Sequence, residues 1–212
     1  MNNSTANDID SSSVIPLLIS GSYDGRIMFW NTSRIVWKAD KEITLSPDLS
    51  INYLCLSSDS LFLGVAHATG IKIYKVEDNE QIMSLEERYN VLFIEFTPKA
   101  DGLIYTLENG VINYIDLINK QRRVLINEGV DVYACELCQN GFDLLIGTST
   151  GNIRNINIIT KLEKNPIIAA RDICIRSIAS TSEQEILFVG DSLGFLYTLL
   201  QNNKNVISIG DL

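Results

Sequence analysis

The stretch SGSYDGRIMFWNTSR, Ser20 to Arg34, decides how the rest of the chain reads. Small residues lead into Asp24-Gly25, and an apolar run follows that ends in Trp30-Asn31. Asp-Gly between two apolar runs is a hairpin signal, because Gly adopts positive φ without steric cost. The stretch predicts strand, tight turn, strand.

The pattern recurs. Its copies are GSYDGRIMFW (21–30), VAHATGIKIY (65–74), YTLENGVINYI (105–115), IGTSTGNIRNI (146–156) and VGDSLGFLYTL (189–199). The turn glycines Gly25, Gly70, Gly110, Gly151 and Gly194 lie 45, 40, 41 and 43 residues apart. A further strand signal precedes each later copy: Ile51 to Leu56, Val91 to Thr97, Val132 to Cys138 and Cys174 to Ala179. Short apolar runs such as Gln81 to Leu85, Arg123 to Ile126 and Val206 to Ile209 follow. Four strands in about 40–45 residues is the period of a propeller blade. The best helical candidate, Ile167 to Ser177, fits period 3.6 no better than period 2.

Second strands such as Leu61 to Ala66 are almost continuously apolar, whereas Ile71-Lys72-Ile73-Tyr74 alternates. Stacked sheets bury both faces of their central strands, which produces that texture. The expectation is an all-β propeller domain over residues 14–212, with about five four-stranded blades, either five-bladed or a truncated seven-bladed form. Residues 1–13 (MNNSTANDIDSSS) read as a disordered polar leader, and blade one as lacking an innermost strand before Val14.

A net charge of -9 argues against a nucleic-acid footprint, which needs clustered cations. The one basic knot, Lys120-Gln121-Arg122-Arg123, reads as a solvated turn. The leader lacks the basic and apolar regions of a signal peptide, and no apolar run approaches the ~20 residues of a membrane span. Together these predict a cytoplasmic protein. Cys135 and Cys138 form a CxxC, but the chain has one His and no second pair, so the four cysteines read as small buried hydrophobes.

The pattern resembles the WD-repeat propellers, with Trp30-Asn31 near the Trp-Asp position that names them. No Gly-His pair is present, and His67 reads as a turn residue, so the Asp-His-Ser-Trp network of regular repeats is not expected. More narrowly, the chain resembles the small WD-repeat subunit (lethal with sec thirteen type) of target-of-rapamycin kinase complexes. Tyr23, Asp24, Ile27, Phe29 and Trp30, then Ile71, Lys72, Ile73 and Tyr74, carry that resemblance. It implies a scaffold subunit that binds and stabilises the kinase domain of such a complex. It also implies seven blades, so either five units close, with Val206 to Ile209 as the latch, or two blades are lacking.

No catalytic, cofactor-binding or metal-ligating residues are expected. A Ser-His-Asp set would have to use His67, and no Gly-x-Ser-x-Gly elbow exists. Gly147 to Gly151 lacks the Lys of a phosphate loop, and its place in the repeat makes it a hairpin turn. Carboxylate pairs, Glu86-Glu87 and Glu183 with Glu185, sit in turns. The sequence therefore favours a protein partner, a large target-of-rapamycin-like kinase. Another WD-repeat scaffold, such as the ribosome-associated receptor for activated C kinase, and a propeller hydrolase are the alternatives. The turns between second and third strands supply the candidate docking residues Tyr23, Asp24, His67, Glu108, Asn109, Thr148, Ser149, Asp191 and Ser192. Trp37 and Tyr89 are alternative anchors, with core packing the default for both.

Overall fold

The structure, a computed structural model, describes residues 6–46, 49–168, 173–181, 186–200 and 206–211. These form five antiparallel four-stranded sheets, the blades of an all-β five-bladed β-propeller. Blade 1 holds β1 (Ala6–Ser11), β2 (Leu17–Ser22), β3 (Arg26–Asn31) and β4 (Lys38–Thr44). Blade 2 holds β5 (Ile51–Leu56), β6 (Phe62–His67), β7 (Gly70–Lys75) and β8 (Gln81–Glu86). Blade 3 holds β9 (Val91–Phe96), β10 (Gly102–Leu107), β11 (Val111–Asp116) and β12 (Gln121–Asn127). Blade 4 holds β13 (Val132–Leu137), β14 (Asp143–Thr148), β15 (Asn152–Asn157) and β16 (Glu163–Ile168). Blade 5 holds β17 (Ile175–Ser180), β18 (Ile186–Asp191), β19 (Phe195–Leu200) and β20 (Val206–Asp211). No helix occurs among the described residues.

Two expectations need correction. Ala6–Ser11 is not disordered: it pairs with β2 as the innermost strand of a complete first blade. Its polar side chains find acceptors and donors on the neighbouring blade, so polarity does not prevent order there. Val206–Asp211 is not a latch, because it pairs with β19 as the outer strand of blade 5.

The chain divides into two compact units, Met1–Leu107 with Asn113–Arg123, and Glu108–Ile112 with Val124–Leu212. In the first, Ile19, Ile27 and Phe29 of blade 1 pack against Ile51, Leu54, Leu63 and Val65 of blade 2. In the second, Ala134, Leu145 and Ile153 of blade 4 pack against Ile175, Leu187 and Val189 of blade 5. Each of the larger side chains contributes about 1.5–3 kcal/mol when fully buried, so the stability of a blade resides mainly in its neighbour.

One device repeats in every blade. The first strand carries an extra residue at its second position, a β-bulge: Asn7, Asn52, Leu92, Tyr133 and Arg176. A bulge turns its side chain away from the regular alternation. Asn7 uses this to donate to the Ile51 carbonyl at 2.7 Å, and Asn52 donates to the Val91 carbonyl at 2.9 Å. Two residues of β1 extend the link. Asp8 accepts from the Leu54 N–H and Asp10 from the Leu56 N–H, each at 2.6 Å. Glu136 repeats the Asp10 contact in the second unit, accepting from the Ser180 N–H at 3.1 Å and its hydroxyl at 2.7 Å. Side-chain acceptors thus complete the backbone of the next blade's inner strand, where an unpaired edge would be costly.

Candidate functional site

The hairpin tips between second and third strands follow from the glycines that open them. Gly25, Gly110, Gly151 and Gly194 have φ of 78°, 79°, 82° and 89°, a left-handed conformation that other residues adopt only with strain. At Gly110 a Cβ would also run into the Val130 carbonyl, so this position is closed to side chains on both counts.

The nine candidate docking residues all lie at these tips or on the strand ends leading into them, yet they divide sharply by exposure. Tyr23 is 61% exposed and Ser192 is exposed, while Asp24, Glu108, Asn109 and Ser149 are half-buried. His67, Thr148 and Asp191 are buried at 3%, 2% and 7% exposure and present little to a partner. Their polar atoms serve the hairpin itself. The Asp191 carboxylate accepts from the Leu193 N–H at 2.9 Å, the Phe195 N–H at 3.0 Å and the Tyr197 hydroxyl at 2.8 Å. Burial works to raise its pKa, but these donors outweigh it and hold the carboxyl below its ordinary value. Thr148 Oγ1 accepts from the Asn152 N–H at 3.2 Å.

His67 is the last residue of β6, not a turn residue. Its Nδ1 accepts from the Thr69 N–H at 3.3 Å, which leaves Nε2 as the protonated nitrogen, buried and without a partner among the described residues. Burial, with Lys72 nearby, lowers its pKa to about 4, so the ring is neutral at physiological pH. It is therefore unsuited to general-base work near neutrality. Part of the expected-absent repeat network survives in blade 1, where Trp30 Nε1 donates to Ser20 Oγ at 2.9 Å.

Beside the exposed tips of the second unit lies a polar cluster that the sequence reading missed. The Tyr133 hydroxyl donates to the Asp131 carboxylate at 3.1 Å, and the Arg176 guanidinium lies 4.4 Å from the Tyr133 ring centroid. The Ser149 N–H bonds the Asp131 carbonyl and the Ser192 N–H bonds the Cys174 carbonyl, tying the two tips to this cluster. Tyr133 and Arg176 are both bulge residues, and only strand register reveals that they lie together.

A different class of turn carries the apolar exposure. Between β3 and β4, Ile35, Val36 and Trp37 are 103%, 78% and 54% exposed. Trp37 is therefore not a core residue, and Tyr89 is 37% exposed. Turns of the same class expose Ile118 after β11, and Ile159 and Leu162 after β15. In the first unit, Phe62, Ile73, Ile82, Leu117 and Ile118 line a groove of about 300 Å³ on this side, with Lys120 at its edge.

The basic knot is part turn and part strand. Lys120 ends the turn, and Arg122 in β12 pairs with the buried carboxylate of Glu87, which also accepts from the Tyr105 hydroxyl at 2.5 Å. Arg154, between Glu128 and Glu163, repeats this charge cluster in the second unit. Glu183 and Glu185 lie outside the described residues. No group of three or more metal-ligating side chains occurs among the described residues.

Over 201 residues, 91% of this chain, the sequence is 25% identical to the target of rapamycin complex subunit wat1 of Schizosaccharomyces pombe. The chain is a β-propeller related to wat1. It spans 62% of the length of that relative. Among solved structures, the Cps50 (Swd1) β-propeller domain of Myceliophteria thermophila matches 94% of this chain and 68% of its own, with a TM-score of 0.82 and 16% identity. That likeness shows the propeller fold. No protein-family model matches the chain.

Proposed function

We propose that this wat1-related propeller is a non-catalytic cytoplasmic scaffold that binds and stabilises the kinase domain of a target-of-rapamycin complex. The observation that carries the reading is the relation to wat1, a target of rapamycin complex subunit, across 91% of the chain. The chemistry of the tips supports it. Their buried polar groups are committed to the hairpins, and the chain's single histidine is held neutral with one nitrogen enclosed. What the described surface offers is contact area. The Ile35-Val36-Trp37 turn is the strongest anchor by exposure, and Tyr23 and Leu193 are the exposed large side chains of the hairpin tips.

The test is capture of the tagged full-length chain from its own cells, with identification of what co-purifies. A very large kinase in stoichiometric amount is the expected result. Ribosomes in its place would sink the proposal and favour the receptor-type scaffold.

A further inference from the structure

Two turns leave blade 1 at the same end. The β1–β2 turn holds Val14 and Ile15, 63% and 42% exposed, and the β3–β4 turn holds the exposed Ile35, Val36 and Trp37. Register sets Leu17, at the start of β2, beside Asn31, at the end of β3. The Thr32 N–H then donates to the Pro16 carbonyl at 3.0 Å, which ties the two turns together. Five large apolar side chains thus project from one end of the blade, and none of them belongs to the core that joins blades 1 and 2.

Charge at this end runs against that of the chain. Residues 12–16 and 32–38 include Arg34 and Lys38, both exposed, and no carboxylate, in a chain of net charge -9. Neither cation makes an ion pair among the described residues. The next carboxylate along the chain, Asp40, lies inside β4. Charges beyond about 8 Å are largely screened at physiological ionic strength, so a surface approaching the turns meets their own cations first. The polar groups of the turns are already engaged. Ser12 Oγ accepts from the Val14 N–H at 3.0 Å and the Ile15 N–H at 2.9 Å, and Asn31 Oδ1 accepts from the Ser33 N–H at 3.0 Å. Backbone satisfied in this way leaves water at lower cost.

We infer that this end of blade 1 rests on an anionic membrane surface, with its apolar tips at the acyl boundary and Arg34 and Lys38 among the lipid phosphates. Cations on both sides of a protruding apolar triplet suit a plane of negative charge, which meets both at once. Tryptophan favours the boundary between headgroups and acyl chains, and the stems of Arg and Lys lie along apolar surface while their heads stay in water. Such an anchor lies on the membrane without crossing it, and a patch of this size binds weakly and reversibly. The kinase proposal offers the same turn to a protein. It cannot hold both at once, and the two occupants give different results below.

Flotation of the full chain with phosphatidylcholine vesicles containing about one-third phosphatidylserine tests this, beside vesicles of phosphatidylcholine alone. Binding to the anionic vesicles only, weakened by salt and accompanied by a blue shift of tryptophan emission, is expected. Joint Arg34→Glu and Lys38→Glu substitution lowers the partition constant at least about tenfold. Trp37→Ser lowers it too and removes the emission shift. All three side chains are exposed, and circular dichroism reports the fold of each variant. Val124→Ser, on the exposed face of β12, leaves binding unchanged. Absence of binding to the anionic vesicles overturns the inference, as does equal binding to the neutral ones or binding indifferent to the turn substitutions. Kinase recovery that depends on Trp37 with no vesicle binding gives the turn to a protein, which overturns the membrane inference and leaves the kinase proposal standing.

Discussion

Gly147 lies so close beneath Ile175 that a single added methyl would stand 2.5 Å from the isoleucine's Cγ2. The glycine is therefore a packing device in a strand, not a turn residue. Gly147→Val forces blades 4 and 5 apart and lowers stability by about 1–3 kcal/mol, the usual cost of overpacking. Urea unfolding measures it. Ile175→Ala in the same chain recovers part of the loss, and two strictly additive penalties would contradict the close approach.

The carboxylates that bridge neighbouring blades make a second prediction. Asp10→Ala leaves the Leu56 N–H without its acceptor and costs about 1–3 kcal/mol, while Asp10→Asn keeps an acceptor and costs less. Glu136→Ala and Glu136→Gln divide in the same way at Ser180. Amide exchange at Leu56 and Ser180 accelerates in the alanine variants alone. Equal effects of alanine and amide substitutions would show that these acceptors do not matter.

Two groups pull the pH dependence in opposite directions. His67 titrates near 6.5 unfolded and about 4 folded, so the unfolded chain takes up its proton first and stability falls as pH drops from 6.5 to 4. Asp8 is raised to about 6, mainly by burial, with Asp10 adding to it against the Leu54 and Ile9 hydrogen bonds. The folded chain therefore holds that proton longer, and stability falls as pH rises from 3.8 to 6. Relative to the parent, His67→Gln gains stability as pH falls through its window. Asp8→Asn gains as pH rises through the other. Denaturant midpoints at half-unit pH steps resolve both slopes, and parallel curves for parent and variant would contradict the assignment.

Under the proposed kinase binding, Trp37→Ser reduces kinase recovery by about tenfold or more, the effect of losing an aromatic anchor of at least about 1.4 kcal/mol. Thermal stability stays within a degree or two, because the side chain is half exposed and not part of the interblade core. Tyr23→Ser is the matched variant on the hairpin tips. Loss of binding with Tyr23→Ser and none with Trp37→Ser would move the docking surface to those tips.

The repeat was legible because a tight hairpin demands positive φ, and glycine meets that demand visibly at Gly25, Gly110, Gly151 and Gly194. The first strand was not, because ANDIDS satisfies its polar groups on β5, and such acceptors and donors have no signature in the local pattern. The nine docking candidates fall at the hairpin tips or on the strand ends leading into them, and they are uneven in exposure. His67, Thr148 and Asp191 sit one step before the turn, where a polar side chain closes the hairpin instead of meeting solvent. Trp37 misled by residue type alone. The Tyr133–Arg176 pair needed the bulges, which shift two side chains out of the alternation a sequence reader assumes.

The links from Asp8 and Asp10 to β5, and from Glu136 to β17, all point the same way along the chain. An earlier blade supplies the acceptor and a later blade the amide. The two sides are not equivalent when parted: a carboxylate hydrates readily, whereas a strand-edge amide left bare invites pairing with a stranger. Assembly of such a chain thus has a preferred direction. During synthesis, which delivers earlier residues first, β5 and β17 each emerge to find their acceptors already in place.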